Sequence, residues 1–450
     1  MAQTLRQSAT MHAPPTSRHE ADPGQHEKVP ARADEHAPWT CPFCPLLCDD
    51  IALVSTGTAG LAAPRTQCSR LEATLIHLEN ADANPTQPMI DGCRADPASA
   101  LARAAQILSR AKRPLFGGLA TDVAGARALY ELAAHCGAIL DHLHGDALAA
   151  GTFAMQDRGA AFTTLSEVRS RADLLVVFAC EPSRRYPRFY ERVVGAKHGQ
   201  SVVFVGCETD PAFNGPSEAM LQGGNPFELL AQWSALLESG GKSIGSNRIT
   251  EELGALSERI NAASYTAFVY EPAALPGPHA ALAIEALHRI VKAINRTARA
   301  GALALTGDDG ALTVNQVVTW LSGFPLRTRV AAGLPLDHDA HRYRTDTLLS
   351  RHEIDAMLWI SSFTPELPPV LLNDDVPMIV LGHPATALSS LNARHGSTVF
   401  IPVATPGIDC GGHLFRVDAS VVTRLAAARA ASLPSVAQIA NELINARRSS

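Results

Sequence analysis

The chain has 450 residues, 46% of them apolar and 18% charged, and a formal net charge of −6. That length accommodates two or three α/β-sized domains, and the negative balance excludes an electrostatic drive toward nucleic acid or an anionic membrane surface. No window approaches the roughly 18 uninterrupted apolar residues of a membrane span, and the start has no apolar export signal, so the cytoplasm is the expected compartment.

Residues 1–38 are rich in Pro, His, Glu, Gln, Ser and Arg and contain no aromatic residue. With neither helical nor strand periodicity, they are expected to form a disordered arm, and the irregularly spaced His12, His19, His26 and His36 belong to a solvated tail. Next comes 41-CPFCPLLCDDI-51, with a further cysteine in 65-RTQCSR-70. The spacing C-x2-C-x3-C with one distant partner is a common way to bring four thiolates onto a [4Fe–4S] cluster. Cys41, Cys44, Cys48 and Cys68 are therefore the candidate metal ligands, while zinc and unmetallated burial stay open as alternatives.

Downstream, apolar runs suited to parallel strands buried on both faces occur at 114–119, 173–180, 201–207, 356–362, 377–383 and 397–404. Helix-periodic segments lie between them. Residues 98–111 form one, and 122–137 form another, with a cap at Asp122 and a stop at Gly137. This alternation predicts doubly wound α/β sheets with functional loops at the carboxyl ends of strands. His142 and His144 form an H-x-H pair of the kind that opens dinuclear hydrolase sites. The later histidines His279, His288, His383 and His413 stand in unrelated contexts, so loop hydrogen bonding is the expected role. Arg184, Arg185, Arg188 and Arg192 follow a predicted strand and suit a subunit contact or a solvated loop. Cys136, Cys180, Cys207 and Cys410 read as packing residues.

The Cys-rich stretch, followed by 137-GAILDH-142, 154-AMQDRG-159, 167-EVRSRADLLVVFACEPSRRYPRFYER-192, 314-NQVVTWLSGFP-325 and 397-STVFIPVATPGIDCGGHLFRVD-418, resembles the B subunit of formylmethanofuran dehydrogenase. That family is a shortened relative of the molybdopterin formate dehydrogenases. The resemblance implies a molybdopterin oxidoreductase fold, with a small Cys-rich cap at 39–85 and two doubly wound α/β lobes. One lobe is discontinuous, 86–160 with 300–450, and the other, 161–299, is inserted into it. In the active dehydrogenases of this family a Cys-His-Gly triplet lies between the segments resembling GAILDH and AMQ, and its cysteine ligates tungsten or molybdenum. Here 141-DHLHGDALAAGTFAMQ-156 places Ala147, Leu148 and Ala149 there. A methyl group cannot ligate a metal and an isobutyl group cannot move a proton. Asp146 stands one position away, where a strand would turn it aside.

This departure implies a degenerate site and no Mo/W-bis-pterin. The family also includes the B subunit of the bacterial formyltransferase/hydrolase complex, whose setting implies formyltransferase, amidohydrolase-type hydrolase and further small-subunit partners. A non-catalytic scaffold in tetrahydromethanopterin-linked one-carbon (formaldehyde to formate) oxidation is the leading expectation. An active dehydrogenase subunit and an iron–sulfur electron-transfer module are the alternatives. Asp308 and Asp309 in 304-ALTGDDGALTVNQVV-318 either repel formate or make a turn.

Overall fold

The computed structural model describes residues 38–56, 60–79, 87–195, 199–239, 247–368, 375–386, 391 and 394–448. The expected arm, with its four histidines, lies outside the described residues apart from Pro38, as does the expected boundary at 85/86. The chain opens with a short antiparallel pair, β1 (Val54–Thr56) and β2 (Gly60–Ala62), and helix α1 (Ser69–Glu79). Hairpin β3 (Met89–Ile90) and β4 (Cys93–Arg94) leads to α2 (Pro97–Arg110), β5 (Pro114–Ala120), α3 (Val123–Cys136), β6 (Ile139–Leu140) and α4 (Gly145–Arg158). A second run contains α5 (Leu165–Arg171), β7 (Leu174–Phe178), α6 (Pro182–Arg185), α7 (Phe189–Val193), β8 (Ser201–Val205) and β9 (Ser217–Met220). It continues through α8 (Pro226–Glu238), α9 (Arg248–Ala262), β10 (Thr266–Tyr270), α10 (Ala280–Ile294) and β11 (Ala300–Ala304). The third run has α11 (Ala311–Ser322), β12 (Thr328–Ala331), β13 (Leu334–His338), α12 (Thr345–Ser350), β14 (Ala356–Ser361), β15 (Met378–Gly382) and β16 (Thr398–Pro402). Hairpin β17 (Gly412–Phe415) and β18 (Val422–Leu425) and the closing helix Val436–Arg448 complete it.

Two sheets organise these elements into a mixed α/β architecture. One has five parallel strands in the order β11-β10-β7-β8-β9. The other has nine strands in the order β13-β12-β6-β5-β14-β15-β16-β3-β4. Its middle, from β6 to β16, is parallel, and its two edges are antiparallel. Each predicted strand run is a central strand of one of these sheets. The reason is visible in β7: Leu175 and Val177 pack into one apolar cluster while Leu174, Val176 and Phe178 pack into the cluster on the opposite face. A strand covered on both sides needs an unbroken apolar run. Because β11 pairs with β10, the five-stranded sheet extends to Ala304, past the lobe boundary expected at 299/300.

The Cys-rich segment shares its core with the five-stranded sheet. Trp39, Cys41, Cys44, Leu46, Cys48 and Cys68 join the cluster that contains Leu175, Val177 and Phe204. The C-terminal region clamps it. Trp39 Nε1 donates to Gly407 O at 2.8 Å, and the Val417 amide donates to Pro45 O at 2.8 Å. Arg188 grips both oxygens of Asp50 at 2.8 Å, and Arg192 reaches Asp49 at 2.8 Å. Two of the four arginines read as a subunit contact or a solvated loop thus fasten the Cys-rich loop within the chain.

Candidate functional site

A cavity of about 540 Å3 is walled by loops that leave the carboxyl ends of strands in both sheets. The segment after β6 supplies His144, Asp146, Ala147 and Ala149, that after β7 supplies Arg185 and Tyr186, and that after β11 supplies Gly307 and Asp308. Arg327, His341 and Arg344 close another side. This is where open parallel sheets place ligands, since connections that leave neighbouring strands toward opposite faces open a crevice there.

Asp141, only 2% exposed, anchors two of the segments that wall the cavity. Its Oδ2 accepts from the amide and hydroxyl of Thr345 at 2.7 and 2.8 Å, and its Oδ1 accepts from Arg327 Nε at 3.1 Å. Gly145 is required beside this pair, because a Cβ there would lie 2.4 Å from Asp141 Oδ1. Next to it, the His144 amide donates to His142 Nδ1 at 3.0 Å. That bond makes Nδ1 the acceptor, so Nε2 carries the proton and donates to Asp309 O at 3.2 Å. Burial, with some help from His144, pushes the His142 pKa down to about 3. His144 Nε2 sits 2.9 Å from Asp309 Oδ2. Burial pushes the Asp309 carboxyl up, but the His144 hydrogen bond, Arg70 and both imidazoles outweigh it and hold it below the usual range. The H-x-H pair is therefore occupied by loop hydrogen bonds.

Asp308 and Asp309 do not present bare negative charge to the cavity, which corrects the expectation that they repel formate. Asp308 is buried between Arg70 at 2.8 Å and Arg185 at 2.6 Å, with the Tyr186 hydroxyl at 3.3 Å. Arg185 also holds Glu271 at 2.7 Å. The turn reading is also met: Asp309 takes a left-handed φ of 52° between Gly307 and Gly310. The basic groups of this cavity, Arg185, Arg327 and Arg344, come from segments remote from the acidic loop, and only Arg185 stood among the candidates.

Ala147 and Ala149 face the cavity, whereas Leu148, at 7% exposed, packs into the core of the nine-stranded sheet. The segment is the first turn of α4, not a strand. A shift of one residue on a helix rotates a side chain by about 100°, so Asp146 lines the cavity too, contrary to the expectation that it turns away. Its oxygens are engaged by Arg327 at 2.6 Å and Arg344 at 3.2 Å. No Cys or Met lines this cavity among the described residues, so the residues do not fit a thiolate-ligated metal site.

Cys41, Cys44, Cys48 and Cys68 are all buried in one cluster, and Cys41 feels the other three sulfurs. Burial pushes the Cys44 thiol up to about 12 against the pull of Arg70. It pushes Cys48 up to about 11 against Arg188 and Arg192. The donor chemistry, four soft sulfurs with cations nearby, fits an iron–sulfur cluster. The spacing does not yet do so: among the described residues no group of three or more His, Cys, Asp or Glu side chains is placed to hold a metal ion.

No family model matches the chain. Among curated proteins, the B subunit of the tungsten-containing formylmethanofuran dehydrogenase 2 of Methanocaldococcus jannaschii is 25% identical over 411 residues, covering 84% of this chain and 90% of that protein. The B subunit of the formyltransferase/hydrolase complex Fhc of Methylorubrum extorquens is 25% identical over 362 residues, covering 78% of this chain and 94% of that protein. The chain is related to these B subunits. A crystal structure of the formyltransferase/hydrolase complex (FhcABCD) from Methylorubrum extorquens, in complex with methylofuran, contains a chain of the same fold. Its TM-score is 0.69 at 24% identity, over 80% of this chain and 99% of that one. No described helix is long and apolar enough to cross a membrane.

Proposed function

We propose that the chain is a B-type subunit that keeps the molybdopterin oxidoreductase arrangement of lobes without a redox site. It serves as a non-catalytic scaffold for formyltransferase, amidohydrolase-type hydrolase and a further small subunit in tetrahydromethanopterin-linked oxidation of formaldehyde to formate, in the cytoplasm. One observation carries this reading. The cavity wall where the resemblance places a metal-ligating cysteine is the methyl group of Ala147, and the neighbouring carboxylate of Asp146 is engaged by Arg327 and Arg344. A wall without a free soft donor cannot complete the coordination of tungsten or molybdenum. The match over 94% of a relative named for the formyltransferase/hydrolase complex supports the assembly.

The four gathered thiols support a cluster held by Cys41, Cys44, Cys48 and Cys68, which when bound would supply a one-electron relay or a covalent knot for the loop. One experiment tests both parts. The tagged chain is purified anaerobically from its source and subjected to elemental analysis, partner identification and a formate-dependent dye-reduction assay. The expected result is retention of transferase and hydrolase partners, iron with acid-labile sulfide, and no dye reduction. Stoichiometric tungsten or molybdenum with formate-dependent reduction overturns the scaffold reading, and absence of iron and sulfide overturns the cluster alone.

A further inference from the structure

A second cavity, also of about 540 Å3, opens at the carboxyl ends of β7, β8 and β10, and both Cys180 and Cys207 line it. The two thiols are placed by strand register. Phe178 lies opposite Val205 in the parallel pair β7 and β8, and the Ala179 amide continues the ladder to Val205 O at 2.9 Å. Each strand then turns through a left-handed residue, Ala179 at φ 50° and Gly206 at φ 75°. Cys180 and Cys207 thus follow at matching positions, two residues beyond the last registered pair. Neighbouring strands run about 4.8 Å apart, and a disulfide needs Cα atoms about 4.4–6.8 Å apart. The Cys207 sulfur donates to Val205 O at 3.7 Å and to Val177 O at 3.8 Å, which holds it against β7, and Cys207 is the largest charged influence on the Cys180 sulfur. Both cysteines are free, Cys180 buried and Cys207 half-buried. The scaffold role uses neither.

We propose that Cys180 and Cys207 are a redox dithiol, a modification site that a small organic disulfide of the glutathione type converts to a Cys180–Cys207 disulfide. Cys207 leads, being the more open of the two thiols. Its thiolate attacks one sulfur of the small disulfide, and a thiolate leaves. The Cys180 thiolate then attacks Cys207 Sγ and expels the second small thiolate. Two protein thiols lose two protons and two electrons, and the small disulfide becomes two thiols. Burial raises both protein thiols above their ordinary value, and for Cys180 the Cys207 and Glu271 charges add to it, so exchange is slow at neutral pH. The link would fix the loop that carries Arg185, and Arg185 holds Asp308 in the first cavity.

The test uses the reduced full chain. It is incubated with oxidised glutathione, its remaining thiols are alkylated, and the digest is mapped by mass spectrometry. The expected result is a linked peptide pair containing Cys180 and Cys207, short of two hydrogens, and a matching loss of two alkylatable thiols from the nine in the chain. In Cys180→Ser, Cys207 is expected to stop at the mixed disulfide with glutathione. Full alkylation of Cys180 and Cys207 after incubation, or links confined to Cys41, Cys44, Cys48 and Cys68, overturns the proposal. The wild-type map decides this even if the variant does not fold.

Discussion

Asp308 ties three segments of the fold together, because Arg70 and Arg185 reach it across 238 and 123 residues of chain. A buried carboxylate that satisfies two guanidinium groups cannot be removed without taking the carboxylate partner from Arg70 and leaving Arg185 with Glu271 alone. Asp308→Asn is therefore expected to destabilise the protein by about 3 kcal/mol, the range seen when one partner of a buried pair is deleted. Urea unfolding of wild type and variant measures this, and equal midpoints would contradict the assigned pairing. Two adjacent aspartates between glycines announced a turn, and the turn is there, but the arginines that balance their charge lie too far along the chain to be read locally. Asp146 was hidden by geometry instead. Its orientation was reasoned from a strand, but the backbone after β6 enters a helix, whose period places adjacent side chains on overlapping faces.

Elements bounded by local chemistry were legible. Helix α3 starts after Asp122, whose carboxylate accepts from the Gly125 amide at 2.9 Å, and stops at Gly137 with a left-handed φ of 71°. Both signals act within one turn of chain, so no tertiary knowledge is needed. Asp122→Ala is expected to cost about 1–2 kcal/mol through the lost cap, read as a lower thermal midpoint. An unchanged midpoint would mean that water replaces the carboxylate at this end. In contrast, β11 is Ala300–Ala304, with the sequence AGALA, which lacks the β-branched and aromatic residues that favour strands. Only its pairing with β10 makes it a strand, so the limit of the five-stranded sheet was hidden.

For the whole molecule, the alternation of apolar runs and amphipathic helices gave the α/β class, but sheet order depended on long-range pairings that no local pattern encodes. In one of them β5 lies beside β14, with Pro114 facing Ala356 at its start. Stability as a function of pH is also a property of the whole fold. Burial pushes the His142 pKa down to about 3, and those of His288 and His383 down to about 4, from an ordinary 6.5. Below pH 6.5 the unfolded chain binds protons at these sites that the folded chain refuses, so stability is complete above 6.5 and falls as the pH drops toward 4. Each fully crossed window is on the order of 3 kcal/mol. Thermal midpoints from pH 7.5 to about 4 are expected to fall, and to fall less steeply in His288→Gln; parallel profiles would remove His288 from this account. Finally, the clamp on the Cys-rich loop sets an order of events during synthesis. Trp39 leaves the ribosome early, yet the carbonyl that receives its indole belongs to Gly407, 368 positions later. Until that distant stretch has been translated, the loop that carries Cys41, Cys44 and Cys48 lacks this fastening, and its thiols meet whatever oxidant or stray ion the surrounding solution holds.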